Sequence, residues 1–252
     1  MVNKKIKTKV YPNSKSGSKI FAKSLVNEIN EVLLKKKYCL ISIPTGNTPT
    51  DLYKELIELY KKKKISFKNI LFFNLDEFYP ISEDDIQSYN YYLNEKLFNH
   101  IDIPKKNINM LNGDINENNI NSHCISFEDK IKRLGGLDIQ VLGIGQNGHI
   151  GFNEPGSLID SKTRKVNISD LSLSIISNEF NNKNEVPKEA LTMGVDTILS
   201  SNKIFLLAWG KTKSTIIGKT IKNKITKNIP ATYLKNHNDV TFILDKYSSS
   251  KI

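Results

Sequence analysis

Three side chains with possible catalytic roles lie within eight residues of this 252-residue chain. They are the histidine His149, the amide Asn147 and the carboxylate Glu154. An imidazole with an ordinary pKa of about 6.5 exchanges protons with a hydroxyl or a ring oxygen near neutral pH. Asn147 and Glu154 are suited to orient the ring and select its tautomer. We therefore expect proton transfer on a sugar-like substrate.

Asp76 is a second candidate for proton transfer, because it follows an apolar run that we predict to be a strand at residues 69–75. A carboxylate in that position can remove a proton next to a carbonyl or an imine. It does so best when partial desolvation raises its pKa toward the working pH. Asp76 is therefore our candidate for the catalytic base.

A phosphate-binding loop is predicted after another apolar run, at Thr45, Gly46, Asn47 and Thr48. Backbone N–H groups at the start of the following helix, with Thr48 as its N-cap, would point at an anion, and the helix dipole would favour its charge. Gly46 permits close approach, and Lys213 supplies a positive charge from a later loop. The loop lacks the GxxxxGK[ST] pattern of nucleotide-binding proteins, so we expect a sugar phosphate rather than ATP.

Residues 143–148 match GxGxxG after a predicted strand, which is typical of dinucleotide-binding proteins. A true fingerprint lies in the first strand–helix unit and opens a helix. Here glycine and proline in residues 151–156 disfavour a helix. We therefore predict no dinucleotide site.

These stretches follow predicted strands that alternate with helices, the strands lying at residues 38–43, 69–75, 137–144, 203–209 and 240–244. The alternation predicts a three-layer α/β/α, Rossmann-like fold with a mostly parallel, doubly wound sheet. Ligands of such sheets bind beyond the carboxyl ends of the strands. Each stretch alone has an ordinary structural explanation, such as a helix cap or a structural histidine. Four stretches at one edge favour an active site.

We expect a single domain over residues 1–252, because no linker or internal repeat divides the chain. Residues 155–187 are polar and weakly periodic. Long segments of this kind in compact domains are often lids or binding loops. We therefore predict a lid or excursion over the sheet there.

The net charge of +11 comes mainly from lysine, with only two arginines, Arg133 and Arg164. Nucleic-acid readers depend on arginine for bidentate contacts, so we predict no nucleic-acid partner. No run approaches the roughly 18 apolar residues of a membrane span, and no signal peptide is evident. Two cysteines, Cys39 and Cys124, form neither a disulfide framework nor a metal-ligand pattern. We expect a cytoplasmic protein.

Three motifs resemble the glucosamine-6-phosphate deaminase family, namely PTGNTP at residues 44–49, NLDEF at 74–78 and LGIGQNGHIGFNEPG at 142–156. The likeness extends to Ser88 and Tyr89, to residues 186–194 and to residues 210–213, and so covers about residues 15–245. The related 6-phosphogluconolactonases share the fold and a similar Gly-His turn, but not the FNEP that follows the turn here.

The resemblance implies conversion of glucosamine 6-phosphate and water to fructose 6-phosphate and ammonium in amino-sugar metabolism, with no metal or organic cofactor. It implies that His149 assists opening of the sugar ring with Asn147 and Glu154 as its partners. Asp76 would remove the C2 proton. The phosphate would be bound by Thr45, Gly46, Asn47, Thr48 and Lys213.

The chain departs from the family pattern at three places. Asn147 occupies a position that is aspartate in some members, so it should orient the histidine without adding charge. The family has an arginine that contacts the substrate phosphate where this chain has Asn178. Its absence should weaken phosphate binding by roughly 1.5–3 kcal/mol unless Lys183 or another lysine replaces it. Allosteric members carry Arg-x-Lys-Thr, whereas Arg164 is followed by KVN, so we expect no strong allosteric activation.

Two other functions remain open from the residues alone. One is another sugar-phosphate enzyme of the same fold, such as a 6-phosphogluconolactonase. The other is a non-catalytic protein that binds a sugar phosphate. The sequence is equally compatible with a monomer and with a homo-oligomer.

Overall fold

The computed structural model describes residues 6–178, 180 and 185–252. The helices in these ranges are α1 (Ser14–Leu33), α2 (Thr50–Lys61), α3 (Tyr89–Lys96), α4 (Ile120–Arg133), α5 (Asp170–Ile176), α6 (Val195–Leu199) and α7 (Ser214–Lys222). The strands are β1 (Lys7–Tyr11), β2 (Cys39–Ile43), β3 (Ile70–Asn74), β4 (Asp76–Tyr79), β5 (Ile108–Asn109), β6 (Ile139–Leu142), β7 (Arg164–Asn167), β8 (Glu189–Thr192), β9 (Lys203–Ala208) and β10 (Val240–Asp245).

The main sheet in the described ranges has seven strands in the order β1-β10-β9-β6-β2-β3-β5, and all of its pairings are parallel. Successive residues of β3 point to opposite faces, so Phe72 lies in one core cluster and Phe73 in the other. Both faces are therefore covered by helices, which explains the nearly continuous apolar sequence of the central strands. The predicted α/β fold with a mostly parallel sheet is confirmed.

A second sheet of three antiparallel strands, β4-β8-β7, is absent from the sequence prediction. Its first strand begins at Asp76, immediately after Leu75, where the chain leaves the main sheet. The backbone N–H of Met193 donates to the Leu75 carbonyl at 2.8 Å and joins the two sheets there. Part of the predicted excursion at residues 155–187 is thus ordered as β7 and α5.

The helix after the predicted phosphate loop begins later than expected. Its N-cap is Pro49 rather than Thr48, and α2 starts at Thr50 without a side-chain cap. Pro49 already has helical backbone angles, so Thr48 remains in the loop. The prediction of Thr48 as the N-cap was therefore wrong. No helix within the described ranges is long and apolar enough to cross a membrane.

Gly194, after the end of β8, packs closely against the segment that precedes β7. A substitution at this glycine tests the packing. A Cβ atom at residue 194 would lie 2.0 Å from the backbone oxygen of Ser161. Gly194→Ala should therefore lower the free energy of unfolding by about 1–3 kcal/mol, measured by urea unfolding. Gly143→Ala is the control, because a Cβ there meets nothing within 4 Å. Equal losses in both variants would contradict this packing.

Candidate active site

A cavity of about 300 Å³ lies at the carboxyl edge of the main sheet, where the loops after β2, β3, β6 and β9 meet. Its walls include seven of the nine predicted site residues, Thr45, Gly46, Asn47, Thr48, Asp76, His149 and Lys213. The other two, Asn147 and Glu154, stand behind His149 and contact it. The structure therefore brings together groups that are up to 168 positions apart in the chain.

Asp76 is only 6% exposed at the junction of the two sheets. The side-chain amide of Asn74 donates to the Asp76 carbonyl at 2.8 Å, which holds the turn between β3 and β4. Burial, followed by the nearby charge of Glu77, raises the pKa of Asp76 to about 8. An aspartate held in this way is suited to accept a proton from a weakly acidic C–H group.

Glu77 differs from its neighbour because its carboxylate is occupied by the backbone. It accepts hydrogen bonds from the N–H groups of Phe78, Tyr89 and Asn90, at 2.8–3.0 Å. Two of these donors belong to the first turn of α3, where an anionic group stabilises the helix. Burial raises the pKa of Glu77 to about 7, although these hydrogen bonds oppose the shift. Glu77 is thus a helix cap rather than a cavity group.

The turn carrying His149 folds back on itself, which presses the imidazole against Gly145. The N–H of Gly145 donates to the His149 carbonyl at 3.0 Å. A Cβ at residue 145 would lie within 2.4 Å of ring atoms of the histidine. Gly145 is therefore required by the close approach of the ring.

Asn147 and Glu154 form a hydrogen-bonded network around His149. The Asn147 amide donates to Glu154 Oε2 at 2.6 Å, and its oxygen accepts from the His149 backbone N–H at 3.1 Å. The imidazole Nδ1 lies 3.3 Å from Glu154 Oε1. Burial alone would raise the pKa of Glu154, but the hydrogen bonds from this network lower it to about 2. Since an ionised carboxylate only accepts, Nδ1 carries the proton and Nε2 remains for a ligand.

Ser172 is part of the same network and was missed by the sequence analysis. Its hydroxyl donates to Glu154 Oε1 and lies 3.3 Å from Nδ1 of His149. The residue is 3% exposed and belongs to α5, within the predicted excursion. No motif or spacing marks it, because a serine near a helix start is ordinarily read as a cap.

Lys213 reaches the cavity from the turn before α7. Its ammonium donates to the Ile144 carbonyl at 2.6 Å, and burial lowers its pKa. An ammonium has three donors, and Ile144 is the one acceptor among the described residues, so two donors remain for an anion. Gly46, on the loop that shares the cavity with Lys213, has a φ of +84°, a conformation that favours glycine.

The position of the expected arginine holds a residue with a different role. Asn178 donates to the carbonyls of Ser174 and Ile175 at the end of α5 and does not line the cavity. Lys183, its candidate replacement, lies outside the described residues. Arg164 donates to Asn153 at 3.0 Å and to Ser157 at 3.3 Å, and so supports the loop that ends at Glu154.

Part of the remaining cavity wall is apolar. The rings of Tyr89 and Phe152 are stacked, with centroids 6.2 Å apart, and Ile175 and Ile176 of α5 line the cavity beside them. Such a wall excludes water from the polar groups opposite and strengthens their electrostatic interactions. Among the residues that the structure describes, no three His, Cys, Asp or Glu side chains are arranged to hold a metal ion.

The sheet order and this cavity define an α/β protein with a polar cavity, lined by Asp76, His149 and Lys213, at the carboxyl edge of a parallel sheet. Residues 12–243 match the family described as glucosamine-6-phosphate isomerases/6-phosphogluconolactonase. The chain belongs to this family.

Individual relatives agree with this assignment. The chain is 46% identical to a glucosamine-6-phosphate deaminase of Clostridium novyi (strain NT), over 95% of each chain. It superposes on a monomeric glucosamine-6-phosphate deaminase with a TM-score of 0.93 and 37% identity, covering 98% of this chain and 100% of the other. A 6-phosphogluconolactonase of Thermotoga maritima has the same fold at 21% identity, with a TM-score of 0.76 and coverage of 96% and 100%.

The raised pKa of Asp76 predicts a pH dependence of stability. The folded protein holds a proton on Asp76 up to a pH of about 8, whereas the unfolded chain releases it near pH 4, so stability falls as the pH rises between these values. Asp76→Asn removes this loss. The free energy of unfolding of the variant, relative to that of the wild type, should increase by at most about 1.4 kcal/mol per pH unit between pH 5 and pH 7.

Urea unfolding at pH 5, 6 and 7 measures this difference. The control is Asp84→Asn, which changes an exposed aspartate in the loop after β4. A difference in free energy of unfolding between Asp76→Asn and the wild type that stays constant with pH would contradict the raised pKa of Asp76.

Proposed function

We propose that the protein is a glucosamine-6-phosphate deaminase, which converts glucosamine 6-phosphate and water to fructose 6-phosphate and ammonium. The observation that carries the proposal is that Asp76 and His149 line the same cavity as the loop at residues 45–48, which we propose as the phosphate site. A sugar whose phosphate lies on that loop presents its ring to both proton-transfer groups. The relatives named above support the same reaction.

His149 opens the pyranose ring in this scheme. Breaking the C1–O5 bond requires a proton on O5 and loss of the proton from the O1 hydroxyl. The imidazole Nε2 carries this proton between the oxygens, while the network at Nδ1 stabilises the charged ring as it forms. Glu154, with a pKa of about 2, remains an anion throughout.

Asp76 then acts on the open-chain aldehyde. Its carboxylate removes the proton from C2, and the electron pair forms a C1=C2 double bond as O1 gains a proton. The product is an enolamine with a hydroxyl on C1 and an amine on C2. The ionised form of Asp76 acts in this step, and its pKa of about 8 makes that form a stronger base than an ordinary aspartate.

Return of the proton at C1 completes the isomerisation and leaves an iminium group at C2. Water adds to C2 and ammonia departs, which yields the ketone. The oxidation of C2 is balanced by the reduction of C1, so the reaction needs no external oxidant. We infer that no metal or organic cofactor takes part.

The partner that we propose is a small sugar phosphate, with no role for nucleic acid. Its phosphate lies on Thr45, Gly46, Asn47 and Thr48, with Lys213 as the cation. We place the protein in the cytoplasm, where sugar phosphates are made and retained. The two buried, unpaired cysteines agree with a reducing compartment.

Turnover is the direct test. The protein should release ammonia from glucosamine 6-phosphate, measured with a coupled glutamate dehydrogenase assay, and much less from unphosphorylated glucosamine. Asp76→Asn and His149→Gln should each lower kcat by roughly 100-fold to 10,000-fold, because each removes a proton-transfer group. Asp84→Asn should retain full activity.

Undiminished turnover by Asp76→Asn would remove that residue from the C2 step. Hydrolysis of 6-phosphogluconolactone without ammonia release from the amino sugar would instead make the protein a lactonase. Binding of the sugar phosphate without either reaction would identify a non-catalytic binding protein.

Ser172 provides a finer prediction for the same reaction. Ser172→Ala removes the hydroxyl that bridges Glu154 and His149, so kcat should fall about tenfold, the effect of one hydrogen bond worth about 1.4 kcal/mol. Ser172→Thr keeps a hydroxyl and should restore most of the rate. Ser174→Ala, two residues away on the exposed side of α5, is the control. Equal rates for the alanine and threonine variants would show that the hydroxyl has no part in catalysis.

A further inference from the structure

A phosphate in this cavity would meet little positive charge from side chains. Of the residues that the structure describes, Lys213 is the only lysine or arginine that lines the cavity. Asn178, at the position of the expected arginine, donates to helix carbonyls instead. Affinity for a phosphate dianion must therefore depend strongly on how the loop at residues 44–48 orients its peptide groups.

Alternate carbonyl groups of this loop are held by three aromatic donors, which we call the aromatic clamp. The Tyr53 hydroxyl donates to the Pro44 carbonyl, the Tyr92 hydroxyl to the Gly46 carbonyl at 2.6 Å, and the Trp209 indole N–H to the Thr48 carbonyl at 3.1 Å. These residues come from α2, from α3 and from the end of β9. Three separate elements thus act on one five-residue loop.

The aromatic clamp lies outside the cavity wall, whereas all five residues of the loop belong to that wall. The held carbonyls therefore point away from the cavity. In a trans peptide the N–H group points opposite to the carbonyl, so clamping the Pro44 carbonyl turns the N–H of Thr45 the other way. The clamped Gly46 carbonyl orients the N–H of Asn47 in the same way, whereas Thr48 precedes Pro49, which has no N–H, so the Trp209 contact acts on the carbonyl oxygen alone. Carbonyl oxygens would repel an anion and N–H groups attract it.

Packing holds these donors in place. A Cβ atom on Gly17 of α1 would lie 2.8 Å from the Trp209 ring, so the indole is pressed between α1 and the loop. Tyr53 is fully buried, and its ring meets that of Tyr92 edge to face, with centroids 6.4 Å apart. Thr50 also approaches the Gly46 carbonyl, at 3.4 Å, but as a longer contact than that of Tyr92.

We propose that the residues of the aromatic clamp are positioning residues, which preorganise the loop for a phosphate group by holding its carbonyl oxygens off the cavity. The inference rests on the proposed function, because it takes the anion to be the phosphate of the substrate. A loop ordered before binding loses less entropy when the ligand arrives. Neutral donors thereby provide affinity that a second cation would otherwise supply.

The test compares Tyr92→Phe and Trp209→Phe with the control Tyr91→Phe, which removes a hydroxyl from a half-exposed residue on the same helix. Each clamp variant keeps an aromatic ring and loses one donor. Calorimetry measures the affinity for inorganic phosphate, and steady-state kinetics measure KM and kcat for glucosamine 6-phosphate. Trp209 is the only tryptophan, so its emission in the wild type and in Tyr92→Phe reports on the loop directly.

We expect the affinity for inorganic phosphate to fall and KM to rise, each by roughly threefold to tenfold in both clamp variants. The kcat should stay within about twofold of the wild type, because the proton-transfer groups are untouched. Tyr91→Phe should match the wild type. A change in kcat with unchanged KM and phosphate affinity would overturn the inference, as would wild-type affinity in both clamp variants.

Phosphate binding separates this inference from the proposed function. A protein that releases no ammonia, yet binds inorganic phosphate more weakly in the clamp variants, would refute the deaminase function and support the clamp. Normal turnover with unaltered phosphate affinity in the clamp variants would support the function and refute the clamp. A wild-type protein that does not bind inorganic phosphate would also refute it.

Discussion

Desolvation of the Asp76 carboxyl is the constraint around which this structure is organised. A carboxylate removed from water is costly, so the neutral form persists up to a pH of about 8. The burial arises where the chain leaves the parallel sheet at Leu75 and enters the antiparallel sheet one residue later. Without that second sheet, Asp76 would end a strand in solvent and behave as an ordinary aspartate.

The cavity wall and the network behind it contain two carboxyl groups with opposite environments. No donor from the described residues contacts the Asp76 carboxyl, whereas Glu154 accepts hydrogen bonds from Asn147, Ser172 and His149 and has a pKa of about 2. One group therefore holds a proton up to a pH of about 8, whereas the other stays charged beside an imidazole. Such a separation of pKa values within one small site is the pattern that the proposed roles of base and electrostatic partner require.

The anion binding that we propose follows a similar principle, in which oriented peptide groups take the place of charged side chains. The net charge of +11 says little about this site, because most of the lysines lie elsewhere and only Lys213 reaches the cavity in the described part of the chain. The loop after β2 presents peptide groups whose direction is set by side chains from distant elements. The electrostatic character of the site thus depends on dipoles that the fold holds in place.

The sequence by itself determined the parallel sheet and most of the cavity wall. Apolar runs alternate with helices, and parallel strands end at one edge, so Asp76, His149 and Lys213 had to lie near one another. The second sheet escaped prediction because residues 76–79 pair with residues 189–192, over 100 positions away, through short strands without periodicity. Ser172 was not predicted because its partners, Glu154 and His149, lie on a separate segment of the chain.

Only the tertiary structure decided which groups stand behind the cavity wall. Trp209 meets Thr48 across 161 positions, and neither residue carries a local signal of the contact. Local patterns report whether a residue is buried and which way the chain turns. The partner of a hydrogen bond, and hence the pKa of a carboxyl or the direction of a peptide dipole, depends on how separate elements pack together.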